Sequence, residues 1–307
     1  MTVSKKTNSP NPWIPLAESR MQHDTLHIIS NQLLLQDIDL VRSTPVSGGD
    51  INQAFKLYTN NAPLFLKVND AKRFPRMFEK ECNGLVALAE TTGWRVPRII
   101  LQGSNGNEQW LLLEWLEKQP AHPNAMYGFG QALAHMHQRE QTFFGWQDNN
   151  FIGSLEQIND KREHWIDFFI DCRICPMLSK LLQTGRIRKD EVERLMDVVS
   201  AMAKDFPEEP PALVHGDLWS GNYMIATEGK AAVFDPAVYF GHREMDIGMS
   251  LLFGGFDTAF YKGYESVYPL QTGWQQRLPL TQLYPLLVHA VLFGGHYISQ
   301  ALSVAGL

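Results

Sequence analysis

The most informative segment of the chain is Val214-His215-Gly216-Asp217-Leu218-Trp219-Ser220-Gly221-Asn222, and Val233-Phe234-Asp235-Pro236 follows it. Asp217 and Asn222 are five residues apart, and Asp235 lies 18 residues after Asp217. Phosphoryl transfer needs a carboxylate that orients the attacking hydroxyl and accepts its proton, together with oxygen ligands for Mg²⁺. The pattern H-x-D-x-x-x-x-N, followed by a second Asp, supplies these groups, and both spacing and residue types match it here. Because such a motif also arises by chance, its context has to support the interpretation.

A glycine-containing turn, Ser47-Gly48-Gly49-Asp50-Ile51-Asn52, lies between two predicted strands. Glycines let backbone N–H groups approach phosphates closely. Gly48, Gly49 and Asn52 are therefore candidate nucleotide-binding residues. The turn is not a full G-x-G-x-x-G, so it is a weak signal when taken alone.

Lys67 lies in the apolar strand Leu64–Val68, 18 residues after Gly49, where it is placed to reach the phosphates of a nucleotide. An edge-strand lysine is the structural alternative. In the helix predicted to follow, Glu81 falls inside the apolar arc, whereas Glu79 lies at its edge. A glutamate on a buried face needs a cation, so the pattern predicts an ion pair between Lys67 and Glu81.

The segment Leu111-Leu112-Leu113-Glu114-Trp115-Leu116 ends the N-terminal part of the chain where a hinge is expected. The backbone groups of Glu114 and Leu116 are candidates for binding the edge of an adenine. A buried strand without a ligand is the alternative.

Hydrophobic periodicity divides the chain into two lobes. Residues 1–116 predict a short helix at His23–Leu35, a mostly antiparallel sheet, and one large helix from Pro75 to about Ala89. Residues 117–307 predict a mainly helical lobe that contains the catalytic loop. Its helices are expected at 125–137, 161–182, 189–205, from about 243, and at 280–302. The expected fold class is α+β.

Composition limits the class of protein and its partners. The chain of 307 residues has 27 Lys and Arg against 33 Asp and Glu, a formal net charge of −6, which argues against nucleic acid as the main partner. No apolar run approaches the ~18 residues of a membrane span, and the N-terminus lacks the pattern of a signal peptide. Three cysteines, an odd number, favour a reducing compartment. We expect a cytoplasmic protein without membrane or nucleic-acid partners.

The chain resembles the fructosamine kinase (ketosamine 3-kinase) family, a branch of the aminoglycoside phosphotransferase and choline kinase clan. The resemblance rests on the two motifs quoted first, extended through Ala237-Val238-Tyr239-Phe240-Gly241-His242-Arg243-Glu244. It also includes Gly48–Asn52, Phe144–Trp146, Asn150–Gly153 and Leu251–Phe256. The resemblance implies a bilobal protein-kinase-like fold and ATP-dependent phosphorylation of a sugar hydroxyl on free or protein-bound ketosamines. In that family the product is unstable and releases the free amine, which is a deglycation.

Carried over by position, the resemblance makes Asp217 the catalytic base and Asn222 and Asp235 the Mg²⁺ ligands. Lys67 and Glu81 become the pair that anchors the phosphates of ATP. Trp219 is a candidate stacking face for the substrate, with core packing as an equal alternative. His215 and Asp246 are assigned to support of the catalytic loop.

Three further expectations concern regulation and substrate. Pro236 should bias Asp235 toward an extended backbone. Only 11 residues separate Asp235 from Asp246, which is too short for a switchable activation loop, so activity without loop phosphorylation is expected. His289 and His296, seven residues apart on one face of the last helix, are expected to be satisfied core histidines, with a substrate contact as the alternative. Another acceptor, such as an aminoglycoside, choline or a sugar, stays open, and a catalytically silent nucleotide-binding protein is a weaker alternative. The sequence does not indicate the oligomeric state.

Overall fold

The computed structural model describes residues 21–47, 51–139 and 141–307. The elements of its N-terminal part are α1 (His23–Leu34), β1 (Leu40–Val46), β2 (Gln53–Thr59), β3 (Leu64–Asp70), α2 (Met77–Ala89), β4 (Ile99–Ser104) and β5 (Glu108–Glu114). The strands form one antiparallel sheet in the order β1-β2-β3-β5-β4.

The two faces of this sheet are covered by different helices. Alternate residues of β3, such as Leu66, pack with Ile29 and Leu33 of α1 on one face. The opposite face packs against α2 through Phe78 and Leu85. Because side chains alternate along a strand, Lys67 points to the face that α2 covers.

The remaining elements are mostly helical, with short strands between them. They are β6 (Lys118–Gln119), α3 (Pro123–His137), β7 (Asn150–Ile152), β8 (Leu155–Gln157), α4 (Trp165–Phe169), α5 (Cys175–Gln183), α6 (Lys189–Met202), β9 (Ala212–Val214), β10 (Tyr223–Ala226), β11 (Ala231–Val233), β12 (Tyr239–Gly241), α7 (Glu244–Leu252), α8 (Thr258–Glu265), α9 (Trp274–Phe293) and α10 (His296–Ser303). The expected α+β class is therefore correct.

Two predicted helices are interrupted in the structure. Between α4 and α5 the chain forms a π-helical turn, Ile170–Ile174. Pro176 has no N–H to donate to the carbonyl of Cys172, and that carbonyl accepts a hydrogen bond from the guanidinium of Arg173 instead, at 3.0 Å. The helix predicted at 280–302 divides between α9 and α10 at Gly294 and Gly295, whose φ angles are +67° and +60°.

Short antiparallel pairs bring the two diagnostic motifs side by side. Strand β9 pairs with β12, and β10 pairs with β11, while β6 extends the second pair. The loop between β9 and β10 holds residues 215–222, and the segment between β11 and β12 holds residues 234–238. Each segment is therefore held at both ends, because the strands that flank one segment pair with the strands that flank the other.

The C-terminal core contains a close helix pair that depends on glycine. A Cβ at Gly130 of α3 would overlap the carbonyl of Phe260, and a Cβ at Gly263 of α8 would overlap the carbonyl of Tyr127. The two helices therefore approach backbone to backbone. Within the described ranges, no helix has both the length and the apolar composition needed to cross a membrane.

Candidate active site

The catalytic loop is anchored by a buried carboxylate on α7. Asp246 is fully buried, and its two oxygens accept hydrogen bonds from the backbone N–H groups of His215 and Gly216, at 2.7 and 3.0 Å. Gly216 has φ +82°, and a Cβ there would overlap the carbonyl of Ala237. The position therefore requires glycine, both for its backbone conformation and for its closeness to the neighbouring segment.

A chain of buried neutral groups supports Asp246 from behind. His137 of α3 donates from Nε2 to Asp246 at 3.2 Å, and its Nδ1 lies 2.9 Å from the Tyr264 hydroxyl. Burial lowers the pKa of His137, so the ring is neutral and Nδ1 accepts the hydrogen bond from Tyr264. Nη1 of Arg243 lies 3.4 Å from the Tyr264 hydroxyl. The guanidinium of Arg243 also forms a bidentate ion pair with Glu209, with both distances 2.8 Å. No local pattern pointed to His137, because its partner lies 109 residues away.

Asp217 is held by the last residue of its own loop. The side-chain amide of Asn222 donates to the backbone carbonyl of Asp217 and to its Oδ2, both at 2.8 Å. Burial raises the pKa of Asp217 to about 7, assisted by the charges of Asp235 and Asp246 and opposed by the Asn222 hydrogen bond. A carboxylate with this pKa is suited to accept a proton near neutral pH.

Asn222 and Asp235 present oxygen atoms of the kind that Mg²⁺ binds. Because the amide nitrogen of Asn222 donates to Asp217, its oxygen remains as an acceptor. The backbone N–H of Phe234 donates to the carbonyl of Asn222 at 3.1 Å and links the two segments. In the part of the chain that the structure describes, no three His, Cys, Asp or Glu residues converge on a metal site. Two protein oxygens suit Mg²⁺, which usually takes its other ligands from phosphates and water.

Asp235 adopts a strained backbone, and here the sequence prediction was wrong. Although Pro236 follows it, Asp235 has φ +54° instead of an extended backbone, so the restriction that a following proline imposes does not decide this position. The hydrogen bond from Phe234 to Asn222 and that from Ala237 N–H to the His215 carbonyl, at 2.9 Å, fix both sides of the residue. Such strain persists where the surroundings over-determine it, and it is common at functional sites.

Lys67 joins the two halves of the site. Its ammonium lies 2.8 and 2.9 Å from the two carboxylate oxygens of Glu81 and 2.8 Å from Oδ1 of Asp235. Burial opposes the charge on Lys67, but the carboxylates of Asp235 and Glu81 outweigh it and raise the pKa of the ammonium. The ion pair with Glu81 is the one that the apolar arc of the helix predicted. The contact with Asp235 was not predicted, because it joins residues 168 positions apart.

Helix α2 packs directly on the segment that carries Asp235. A Cβ at Gly84 would lie 3.0 Å from Pro236 and 3.4 Å from Val238, so the helix and this segment are in close contact. On the same helix, the ammonium of Lys80 lies 3.9 Å from Asp148 and 5.6 Å from the ring centre of Phe151. The position of Glu81 is therefore set by contacts on both sides of the site.

The nucleotide candidates of the N-terminal part are only partly described. Gly48 and Gly49 lie outside the described residues. Asn52 accepts a hydrogen bond from the amide of Asn69 at 2.8 Å. The backbone N–H of Glu114 donates to Arg98 within the sheet, at 2.9 Å, so this donor is occupied.

Leu116 provides the free donor of the expected hinge. Among the described residues its backbone N–H has no hydrogen-bond partner. Its side chain packs with Ala226 and Ala232, and Met224 borders this cluster. The segment thus combines a backbone donor with an apolar surface, which are the two features that an adenine ring requires.

Trp219 belongs to an aromatic wall beside the catalytic loop. Its side chain is 37% exposed and lies against Gly221, where a Cβ would overlap the indole. The indole meets Phe253 edge-on at 6.0 Å, and Phe253 lies 4.7 Å from the His289 ring. His289, expected in the core, is only partly buried and bonds through Nδ1 to the Pro285 carbonyl at 2.8 Å. The helical periodicity of the sequence did not indicate that these aromatic side chains lie together.

Comparisons with known proteins point to one family. The family model described as fructosamine kinase matches residues 21–305. A "probable ketoamine kinase" of Synechocystis sp. is 40% identical over 295 residues, which cover 96% of this chain and 96% of that protein.

Solved structures extend the comparison to the fold. A crystal structure from Thermobifida fusca, provisionally described as a fructosamine-3-kinase, has a TM-score of 0.81 and 31% identity over 91% of this chain and 97% of that one. A thermostable mutant of aminoglycoside phosphotransferase APH(4)-Ia, in complex with AMP-PNP and hygromycin B, has a TM-score of 0.61 and 16% identity, covering 91% and 97% of the two chains. The second likeness concerns the protein-kinase-like fold alone.

Proposed function

Because the chain belongs to the fructosamine kinase family, we propose that it transfers the γ-phosphoryl group of ATP to a sugar hydroxyl of a ketosamine. The observation that supports this best is the convergence of Lys67 on both Glu81 and Asp235, next to the Asp217–Asn222 pair. These groups are the ones that phosphoryl transfer needs, and they meet from both halves of the chain.

Asp217 acts as the base in this proposal. Its Oδ2 accepts from Asn222, so Oδ1 is the atom that orients the acceptor hydroxyl and takes its proton. The hydroxyl oxygen then forms a bond to the γ-phosphorus, the bond from that phosphorus to the bridging oxygen breaks, and ADP leaves. Asn222 keeps the carboxylate in place throughout.

Asn222 and Asp235 would hold Mg²⁺ through the amide oxygen and the carboxylate. When bound, the ion neutralises negative charge on the phosphates of ATP. Lys67 is proposed to bind the same phosphates while Glu81 keeps it in position, and Gly48, Gly49 and Asn52 are assigned to the phosphate-binding turn. The N–H of Leu116 is the proposed donor to adenine, with Glu114 beside it.

The acceptor is proposed to lie against Trp219, an exposed aromatic residue of the catalytic loop. We infer two lobes, residues 1–116 and 117–307, with the hinge at 114–116, because the five-stranded sheet ends at Glu114. We also infer a cytoplasmic role in deglycation, supported by three free cysteines, Cys82, Cys172 and Cys175, among the described residues.

The test is ADP formation by the purified protein with Mg-ATP and a panel of acceptors. The panel contains a fructosamine, a ribulosamine, choline, an aminoglycoside and free sugars. Turnover is expected with a ketosamine, and it should fall by at least about a thousandfold in Asp217→Asn. The exposed carboxylate variant Asp197→Asn is the matched control and should retain wild-type turnover. Turnover only with another acceptor would overturn the substrate, and normal turnover in Asp217→Asn would overturn the base.

A further inference from the structure

A buried cluster of amides lies behind the segment that carries Asp235, and neither the catalytic nor the acceptor assignment uses it. Its central members are Asn150 and Gln157, which face each other on the β7–β8 hairpin. We name these two residues the amide clamp. Resting on the proposed function, we propose that the amide clamp fixes the backbone beyond Asp235 and so sets the affinity of the site for the Mg²⁺ of Mg-ATP. Asn150 and Gln157 are then positioning residues for the reaction.

The amide clamp binds two consecutive backbone carbonyls. Asn150 donates from Nδ2 to the carbonyl of Val238 at 2.8 Å. Gln157 donates from Nε2 to the carbonyl of Ala237 at 3.0 Å and to Oδ1 of Asn150 at 2.8 Å. Both side chains belong to residues that are at least 95% buried. In such an environment a backbone carbonyl needs a donor, and at these two positions the amides supply it.

The orientation of each amide is fixed by its surroundings, in which the guanidinium of Arg173 can only donate and the backbone carbonyls can only accept. The guanidinium of Arg173 donates to Oδ1 of Asn159 at 2.8 Å, and Asn159 Nδ2 donates to Oδ1 of Asn150 at 2.9 Å. The Tyr284 hydroxyl donates to Oε1 of Gln157 at 3.0 Å. Because arginine has no acceptor, the direction of donation runs from Arg173 toward the amide clamp. The nitrogens of Asn150 and Gln157 therefore have to face the carbonyls.

The clamped carbonyls lie two and three residues after Asp235, the residue with φ +54°. Upstream of Asp235, the backbone N–H of Phe234 donates to the carbonyl of Asn222. The Asp235 side chain is 45% exposed, and Lys67 is its hydrogen-bond partner among the described residues. Its carboxylate thus has little side-chain support, so its placement depends on the backbone that the amide clamp holds. Partners behind a metal ligand commonly change metal affinity by about 10- to 100-fold when they are removed.

The test measures ATP binding by calorimetry at increasing Mg²⁺ concentrations, without an acceptor. Gln157→Met keeps the length of the side chain and removes its hydrogen bonds. We expect the Mg²⁺ concentration at half-saturation to rise by about tenfold, while ATP affinity without Mg²⁺ stays the same. Gln183→Met, on the exposed face of α5, is the matched control and should behave as the wild type.

A second variant keeps the test decisive if Gln157→Met fails to fold. Tyr284→Phe leaves the clamp amides in place but removes the donor that orients Gln157, so it should shift the Mg²⁺ dependence in the same direction by a smaller factor. A loss of melting temperature with unchanged Mg²⁺ dependence in the folded variant would overturn the proposal and leave the cluster a structural role. ATP binding by the wild type that does not depend on Mg²⁺ would overturn it as well.

These measurements are separate from the test of the proposed function. If the wild type binds ATP with the expected Mg²⁺ dependence but phosphorylates no ketosamine, the acceptor assignment fails while the role of the amide clamp is still decided by Gln157→Met. If the wild type phosphorylates a ketosamine but both variants keep the wild-type Mg²⁺ dependence, the proposed function is supported and the role of the amide clamp is overturned.

Discussion

The catalytic loop and the segment proposed to bind Mg²⁺ run side by side, but they are held in opposite ways. The loop presents backbone N–H groups at His215 and Gly216, which a buried carboxylate, Asp246, accepts. The segment after Asp235 presents carbonyls, which neutral amides bind. The comparison indicates that a charged acceptor holds the loop, whereas neutral donors hold the segment after Asp235.

This difference predicts that substitutions on the two sides lower the unfolding free energy by unequal amounts. Hydrogen bonds to an ionised acceptor are about twice as strong as neutral ones, so losing the Asp246 anchor should cost more than losing one amide. The following predictions test the charged side of the comparison, in order of decreasing effect.

The largest effect is expected for Asp246→Asn. The substitution keeps the shape of the side chain but replaces one acceptor oxygen with a donor that faces a backbone N–H. Leaving a buried N–H without its charged acceptor costs about 3 kcal/mol of unfolding free energy, and we expect kcat to fall by at least a hundredfold. Urea unfolding and steady-state kinetics measure both. A stable variant with normal kcat would show that Asp246 does not hold the loop, and the comparison would fail.

Gly216→Ala should break the contact between the loop and the segment. Gly216 has φ +82°, and the added Cβ would overlap the carbonyl of Ala237. Backbone strain alone costs about 1–3 kcal/mol, and displacement of the loop should lower kcat more than it changes KM for ATP.

Gly254→Ala separates these two causes. Gly254 has a similar φ of +92°, but no heavy atom within 4 Å would meet its Cβ. This variant should show the strain without the displacement, so its kcat should stay closer to the wild-type value. Equal kcat losses in both variants would contradict the assigned contact.

Tyr264→Phe should have an intermediate effect, because it removes one neutral donor from the group behind Asp246. His137 Nδ1 would lose its partner in a fully buried place, which costs about 1–3 kcal/mol in thermal or urea unfolding. We expect kcat to fall by less than in Asp246→Asn. Tyr127→Phe, at a 38% exposed tyrosine, is the control. A kcat loss as large as that of Asp246→Asn would mean that the neutral chain, rather than the charge, controls the loop.

The smallest effect concerns pH. Among the described residues, burial lowers the pKa of four histidines in the folded protein, which are His137, His215, His242 and His289. In the unfolded chain they titrate near the ordinary value of about 6.5, so below that pH the unfolded state binds more protons. Asp217, whose pKa is raised to about 7, acts in the opposite direction, because its folded form binds a proton in the same range. Four histidines outweigh this one carboxylate, so the unfolding free energy should fall as the pH is lowered from about 7.5 to about 5.5. His289→Phe should have a shallower slope, and a flat wild-type profile in urea unfolding would contradict the prediction.

Much of the candidate site followed from local pattern. The loop containing Asp217 and Asn222 was recognisable because its spacing reflects one continuous turn of backbone. The pairing of Lys67 with Glu81 followed from two periodicities, since the face of a strand and the buried arc of a helix can both be found by counting residues. The extended backbone expected at Asp235 was wrong because the local effect of Pro236 is weaker than the hydrogen bonds on both sides of it.

The sequence by itself determined the α+β class, the order of the elements as far as Glu114, and the chemical groups available for phosphoryl transfer, because these depend on residue type and on spacing within one element. Only the tertiary structure decided that Lys67 also meets Asp235, that His137 supports Asp246, and that Asn150 and Gln157 bind the backbone beyond Asp235. These contacts join residues about 80 to 168 positions apart. The reason is physical: periodicity shows which face of an element is buried, but the partner at that face is set by how separate elements pack.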